Sequence, residues 1–183
     1  MKDRKKLKKQ LVEINAEICE TTIIKDTYYT HKSIKSLEEQ NKWYLSGKGF
    51  IVRTREVNNS NTKEHTVSIE VKKTDPKNPH VINFEREALC KSLSEAKEFL
   101  EMIDLKEFTR IYKTRILYKY KQFEITIDDI EGFGIGVEIE LQKNSKLDFN
   151  DLIRFAEEVL KIPSNDRFNQ GVSFLAFQNL AKF

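Results

Sequence analysis

Apolar residues at Leu7, Leu11, Ile14 and Ile18 are spaced by four, three and four, which describes one face of an N-terminal helix. Asn15 suits the left-handed backbone that ends such a helix. Ile23 to Thr30 then reads as a strand. His31 to Gly49 has no sustained period and holds Gly47 and Gly49, predicting a long, lid-like loop with one helical turn around Leu37 to Trp43. Strand-like runs follow at Phe50 to Val57, Thr66 to Lys73, Val81 to Ala88, Thr109 to Lys119, Gln122 to Asp129 and Ile135 to Leu141. Asn58 to Asn61 is a polar turn, and Thr74 to Pro79, with two of the three prolines, is another break. A helix fits Ser92 to Ile103, where Ser92 and Glu95 have capping-box spacing and Leu93, Phe99, Leu100 and Ile103 form the expected buried stripe. A second helix runs from about Asp148 to Lys161, stopped by Pro163. This order predicts an α+β fold built on a large antiparallel sheet, in one domain over residues 1–183.

Composition narrows the class. The chain has 183 residues, of which 39% are hydrophobic and 33% charged. That is too many charges for a membrane span and too many apolar side chains for disorder. A net charge of +3 provides no overall field that would call for a nucleic acid or a membrane, so neither is an expected partner. The basic run Lys5, Lys6, Lys8, Lys9 reads as a solvated helix face. Only Cys19 and Cys90 occur, and no apolar stretch follows Met1, which disfavours a disulfide framework and a secretory leader and gives a cytoplasmic reading.

Charge patterning is more informative, because residues two apart on a strand share a face. Arg53 and Arg55 share one, opposite Phe50 and Val52; Glu70 and Lys72 oppose Val67, Ile69 and Val71; Glu85 and Glu87 oppose Ile82 and Phe84. Lys113 pairs with Arg115, Glu124 with Asp128 and Glu138 with Glu140 in the same way. Five cations and seven carboxylates thus fall on one side of the sheet. If that side curls inward, it forms a tunnel in which cations hold a polyanion and carboxylates hold a hard cation, with helices over the apolar outer side. Phosphoryl chemistry needs positioning and charge neutralisation, and this inventory supplies both without a His or Cys nucleophile.

Other candidate constellations are weaker. His31, His65 and His80 share no metal-ligand spacing. Gly132-Phe133-Gly134-Ile135-Gly136 joins two strands without a following helix and reads as a hairpin turn. Lys42, Trp43, Tyr44 and Lys48 mix basic and aromatic side chains, as a single-stranded nucleic-acid surface or a lid that stacks on a substrate would.

The ordered pieces Asn15-Ala16-Glu17, Lys25-Asp26-Thr27-Tyr28-Tyr29, Val52-Arg53-Thr54-Arg55, Ile69-Glu70-Val71-Lys72, Glu85-Arg86-Glu87, Tyr112-Lys113-Thr114-Arg115, Ile127 to Gly134 and Glu138-Ile139-Glu140 together resemble the CYTH, or triphosphate tunnel metalloenzyme, family. The resemblance covers roughly Leu7 to Leu141. It implies an antiparallel, barrel-like triphosphate tunnel flanked by helices, with Mg²⁺ or Mn²⁺ as cofactor and a small triphosphate as substrate. Carried over by position, Arg53, Arg55, Lys72, Lys113 and Arg115 are the triphosphate ligands, with Lys72 and Arg115 the catalytic candidates. Glu85, Glu87, Asp128, Glu138 and Glu140 are the metal set, with Glu138 and Glu140 the best ligands. The implied activity is hydrolysis of a triphosphate such as thiamine triphosphate or inorganic triphosphate. The alternatives are a class IV adenylate cyclase, or a module that binds a triphosphate without turnover.

Two departures from the family pattern stand out. A first strand reading E-x-E-x-K is not evident: a strand over Val12 to Ile18 would put Glu13, Asn15 and Glu17 on one face, but the helical spacing of Leu7, Leu11 and Ile14 argues against it. Asn83 also stands where the family often has a basic residue. A missing first strand predicts an unpaired sheet edge that recruits a second copy as a homodimer or is covered by the segment around Phe174 to Phe183. The other expectation is a chain that begins inside a longer protein.

Overall fold

The computed structural model describes residues 4–46, 49–75, 78–166, 168 and 172–180. Helix α1 (Arg4–Glu13) buries Leu7 and Leu11. It ends where Asn15 takes a left-handed φ of 57° and the Ala16 N–H donates to the Leu11 carbonyl at 2.9 Å. The apolar spacing continues through this cap, so Ile18 is not on the helix as expected; it lies in the next strand, 55% exposed. The helical conformation of Leu11 to Glu13 also removes the reading in which Glu13, Asn15 and Glu17 line one strand.

Strand β1 (Glu17–His31) starts well before Ile23, because the polar stretch Glu20, Thr21, Thr22 hides its first half from a hydrophobic pattern. The loop after it contains α2 (Leu37–Leu45), longer than one turn and capped by Ser36, whose hydroxyl accepts from the Glu39 N–H at 3.2 Å. Tyr44 is buried, and Trp43 is half-buried with its ring edge-on to Phe50 at 4.8 Å; Lys48 lies outside the described residues. β2 (Ile51–Asn59), β3 (His65–Asp75) and β4 (Asn78–Cys90) follow. The break expected over Thr74 to Pro79 is narrower, with strand on both sides. In α3 (Leu93–Met102) Ser92 caps as expected, accepting from the Glu95 N–H at 3.1 Å. Its buried face is Ala96 and Leu100, whereas Phe99 and Ile103 are half exposed; Phe99 sits about 100° round the helix from Leu100.

β5 (Leu105–Tyr120), β6 (Phe123–Ile130) and β7 (Gly134–Leu141) are consecutive hairpin strands. Gly132 and Gly134 make the last turn at φ of 74° and 115°, the hairpin role expected of this glycine run. α4 (Phe149–Arg154), capped by Asp148, continues into a π-helical turn over Phe155–Val159, and α5 (Val172–Leu180) is the last element.

All seven strands join one antiparallel sheet in the order β4-β3-β2-β1-β5-β6-β7. The sheet is not closed: β4 and β7 are its edges, and among the described residues they do not pair. The expected α+β fold, a large antiparallel sheet flanked by helices, is what the structure has, and its barrel-like sheet stops short of closure. One face is apolar and covered as expected. Leu7 and Leu11 of α1 and Phe155 and Leu160 after α4 pack on Ile116, Tyr118, Phe123, Ile125 and Ile127; Leu100 of α3 packs on Tyr29, Val52 and Leu105. The other face holds the charges, and α5 lies on it, contrary to the expectation that every helix covers the apolar side. Ala176 is fully buried there against Tyr28, Phe108, Ile111 and Ile130, with Leu37, Ile51, Val172 and Leu180 packed around.

Candidate functional site

Strand register places the charged side chains on one face. Glu87, Glu70, Arg53 and Tyr28 stand in one row across β4, β3, β2 and β1, and Glu85 and Lys72 in the row beside it. Arg55 lies directly opposite Asp26. On the other side of β1, Thr22, Arg115, Asp128 and Gly136 form a row across β1, β5, β6 and β7, and Thr126 faces Glu138. The charges therefore cross the sheet as a slanted band.

Two clusters occupy this band. In the first, Asp26 is fully buried and bidentate to Arg55, with Nε to Oδ1 at 2.7 Å and Nη2 to Oδ2 at 2.8 Å. Arg53 donates to Glu70 through Nε at 2.9 Å and through Nη2, to Tyr28 Oη at 3.1 Å and to Asp26 Oδ2 at 3.4 Å; Arg55 Nη1 lies 3.1 Å from Glu70. Burial alone would raise the Asp26 carboxyl, but the adjacent guanidiniums of Arg53 and Arg55 outweigh it and hold the group below the ordinary carboxylate range.

The second cluster repeats the pattern. Asp128, opposite Arg115, is bidentate to it, with both contacts at 2.7 Å, and accepts from Lys113 Nζ at 2.8 Å. The Lys113 side chain is wholly buried, which pushes its ammonium down against the pull of Asp128. Burial acts upward on the Asp128 carboxyl, and Arg115 and Lys113 prevail and lower it. Glu138 Oε2 lies 3.7 Å from Arg115 Nη2, while Glu138 Oε1 accepts from the Val172 N–H of α5 at 3.2 Å. Gly136 lets α5 come this close: a Cβ there would fall 2.0 Å from Val172 Cγ1.

The expected phosphate ligands thus divide by access. Arg53 and Lys113 are interior; Arg55, Arg115 and Lys72 keep part of their surface in solvent. Lys72 pairs with Glu85 at 2.6 Å near the β4 edge, apart from Arg115. Glu85 and Glu87 are exposed on β4, while Glu138 and Glu140 are on β7 at the opposite edge, so the five acidic residues are not brought together. Among the described residues, no three His, Cys, Asp or Glu are grouped to hold a metal ion by themselves.

The donor set still fits a hard divalent cation of one kind. Mg²⁺ takes one or two carboxylates and fills its shell from water and substrate phosphates. Glu138 and Glu140 share a face, and Glu124 stands opposite Glu140. Charge balance points the same way: Arg53, Arg55, Lys113 and Arg115 are matched by Asp26, Glu70, Asp128 and Glu138, leaving little net positive charge for a bare polyanion.

Asp26 is the residue at the centre of the first cluster that pattern reading misses. Its signal was available: it shares a strand face with Ile24 and Tyr28, and a carboxylate between two buried residues needs a cationic partner.

Comparison with known proteins shows the family and the fold. The model of the CYTH domain matches residues 2–170. A Pyrococcus horikoshii protein of solved structure is 20% identical, with 97% of this chain and 95% of that one covered and a TM-score of 0.68. A protein of Vibrio parahaemolyticus described as a putative adenylate cyclase is 17% identical over 96% and 92%, at a TM-score of 0.63. One from Bacillus halodurans with the same description is 16% identical over 88% and 86%, at 0.56. These likenesses show a shared fold. No curated protein matches. With nearly its whole length matched by the family model, the chain belongs to the CYTH family, whose members are metal-dependent tunnel proteins, usually triphosphatases or class IV adenylate cyclases.

Proposed function

We propose that this chain is a Mg²⁺- or Mn²⁺-dependent hydrolase of a small triphosphate, thiamine triphosphate or inorganic triphosphate. The observation that carries the reading is the repeated cluster, in which a buried Asp braces an Arg of the adjacent strand whose outer side reaches solvent. Arg55, Arg115 and Lys72, each with part of its side chain in solvent, bind phosphate oxygens as charge-assisted donors. Arg53 and Lys113, set deeper, supply fixed positive charge, and Asp26 and Asp128 hold the arginines in one rotamer. Because the clusters exist before the substrate arrives, little reorganisation is left for the reaction. Glu138 and Glu140 would hold the divalent ion, which neutralises phosphate charge when bound. A water attacks the terminal phosphorus as the bond from that phosphorus to the bridging oxygen breaks, and the diphosphate part leaves with the electron pair. The water's proton passes to the released phosphate or solvent, and Lys72 and Arg115 stabilise the charge that develops on the phosphate oxygens.

A cyclase is the second reading, supported by the two structural neighbours described as putative adenylate cyclases. There the ribose 3′-hydroxyl would attack the α-phosphorus. The two open edges of the sheet add a homodimer to the proposal, to be checked by light scattering. Incubating the protein with thiamine triphosphate, tripolyphosphate and ATP, with Mg²⁺ or Mn²⁺, and resolving products by chromatography tests the activity. Orthophosphate is the expected product, cyclic AMP with pyrophosphate would establish the cyclase, and no turnover would leave a binding module.

A further inference from the structure

Glu138 is engaged from two sides, whereas Glu140, the next residue on the same face of β7, stands exposed opposite Glu124. Val172 is the first residue of α5, so its N–H has no partner within the helix. It donates instead to Glu138 Oε1 at 3.2 Å, while Glu138 Oε2 lies 3.7 Å from Arg115 Nη2. The helix start reaches the carboxylate because Gly136, two residues before Glu138 on the same face, has no side chain. A Cβ there would fall 2.0 Å from Val172 Cγ1 and 2.8 Å from Val172 Cβ. The seat of the helix is fixed by packing further along, where Ala176 is buried against Tyr28, Phe108, Ile111 and Ile130, with Leu180 beside it. The two oxygens of Glu138 are therefore unlike. Oε1 is held by a backbone donor, and Oε2 is on the side of the guanidinium that keeps part of its surface in solvent. A free glutamate gives up rotamer freedom when it binds an ion; here part of that ordering is already done by the fold.

We propose, resting on the reading of Glu138 as a ligand of the divalent cation, that the Val172 amide is a positioning group for it. By holding Oε1, the amide leaves Oε2 as the oxygen offered to the cation, beside the arginine that receives phosphate. The seating of α5 on the sheet thereby sets how tightly the chain binds the cation, and Gly136 is the residue that admits the contact. Carboxylates that bind metals are commonly hydrogen-bonded by a second group, and loss of that group costs about 10–100-fold in metal affinity. With 32% of the Glu138 side chain in solvent, the loss expected here is at the lower end of that range. Val172 and Gly136 touch neither phosphate nor metal; they act through Glu138.

The test separates the amide from the packing. Proline is tolerated at the first position of a helix and lacks the N–H, so Val172→Pro deletes the donor and keeps the helix start. Val172→Ala keeps the donor and removes apolar contact. The probe is Mn²⁺ alone, with the free ion followed by electron paramagnetic resonance and no triphosphate present. Affinity should fall about tenfold in Val172→Pro and stay near that of the unmodified chain in Val172→Ala. Tripolyphosphate affinity, measured by calorimetry with divalent ions chelated, should be unchanged in both. In a Glu138→Gln background Val172→Pro should add no further loss of Mn²⁺ affinity, a coupling that a purely structural role would not produce. Gly136→Ala, whose added methyl overlaps Val172 and displaces the helix start, replaces Val172→Pro if circular dichroism shows that the proline variant does not fold. Unchanged or tighter Mn²⁺ binding in Val172→Pro, equal losses in Val172→Pro and Val172→Ala, or a loss that adds fully to that of Glu138→Gln would overturn the positioning role while leaving Glu138 as a ligand. No Mn²⁺ binding by the unmodified chain, or unchanged affinity in Glu138→Gln, would remove the metal reading itself and this inference with it.

Discussion

The two halves of the charge band share a plan and differ in depth. Each has an aspartate directly opposite an arginine on the neighbouring strand, and a second cation two residues along: Asp26 with Arg55 and Arg53, Asp128 with Arg115 and Lys113. The first half adds Glu70, which contacts both guanidiniums and leaves side-chain exposures of 14% or less. In the second half Glu138 stands 3.7 Å from Arg115 beyond the aspartate, and Arg115 keeps 26% of its side chain in solvent. The same local pattern therefore makes a more enclosed anion contact at Arg55 and a more open one at Arg115.

The largest expected effect comes from breaking the more enclosed half. Asp26→Ala leaves two buried guanidiniums with one remaining carboxylate between them, and removing one partner of such a buried network costs about 3–5 kcal/mol. Urea unfolding should show that loss. In the open half, Asp128→Ala should cost less, about 1.5–3 kcal/mol, since Arg115 can turn to water and the Lys113 ammonium, already pushed down by burial, can release its proton. Equal losses at the two sites would show that depth does not distinguish them.

pH sharpens the same contrast. Asp26 and Asp128 have folded-state pKa values below the ordinary 3.8. A depressed carboxylate stabilises the fold fully above its unfolded pKa and loses that contribution as pH falls through its folded pKa. Stability should therefore drop as pH falls below about 4, and Asp26→Asn and Asp128→Asn should each flatten the drop. An acid-unfolding profile unchanged in both variants would contradict the ion-pair account. A smaller effect is expected at the metal end: Glu138→Gln keeps the side chain's size, removes charge that a hard cation needs, and should raise the Mg²⁺ concentration required for activity.

Much of this arrangement was legible in the strands, because alternation alone puts Arg53 with Arg55, Lys113 with Arg115 and Glu138 with Glu140. What escaped depended on partners far away in the chain. Asp26 is the lone acid of its strand segment, and its importance follows only from register with Arg55 across β1 and β2. The position of α5 on the charged face depends on Gly136 admitting Val172, a contact that no local period encodes. The half-exposed Phe99 and Ile103 show the limit of helical spacing, since the sheet below α3 selects Ala96 and Leu100 as its contacts. Sheet closure was equally beyond local patterns, because it concerns β4 and β7, the two edges of the sheet.

The central claim is that the solvent-facing arginines of this band bind a triphosphate. Calorimetry of tripolyphosphate with Mg²⁺, comparing the unmodified chain with Arg115→Ala, tests it most directly. Loss of a charge-assisted contact worth about 1.5–3 kcal/mol predicts affinity weaker by about tenfold or more, with the fold intact by circular dichroism; unchanged affinity in a folded Arg115→Ala protein would contradict it.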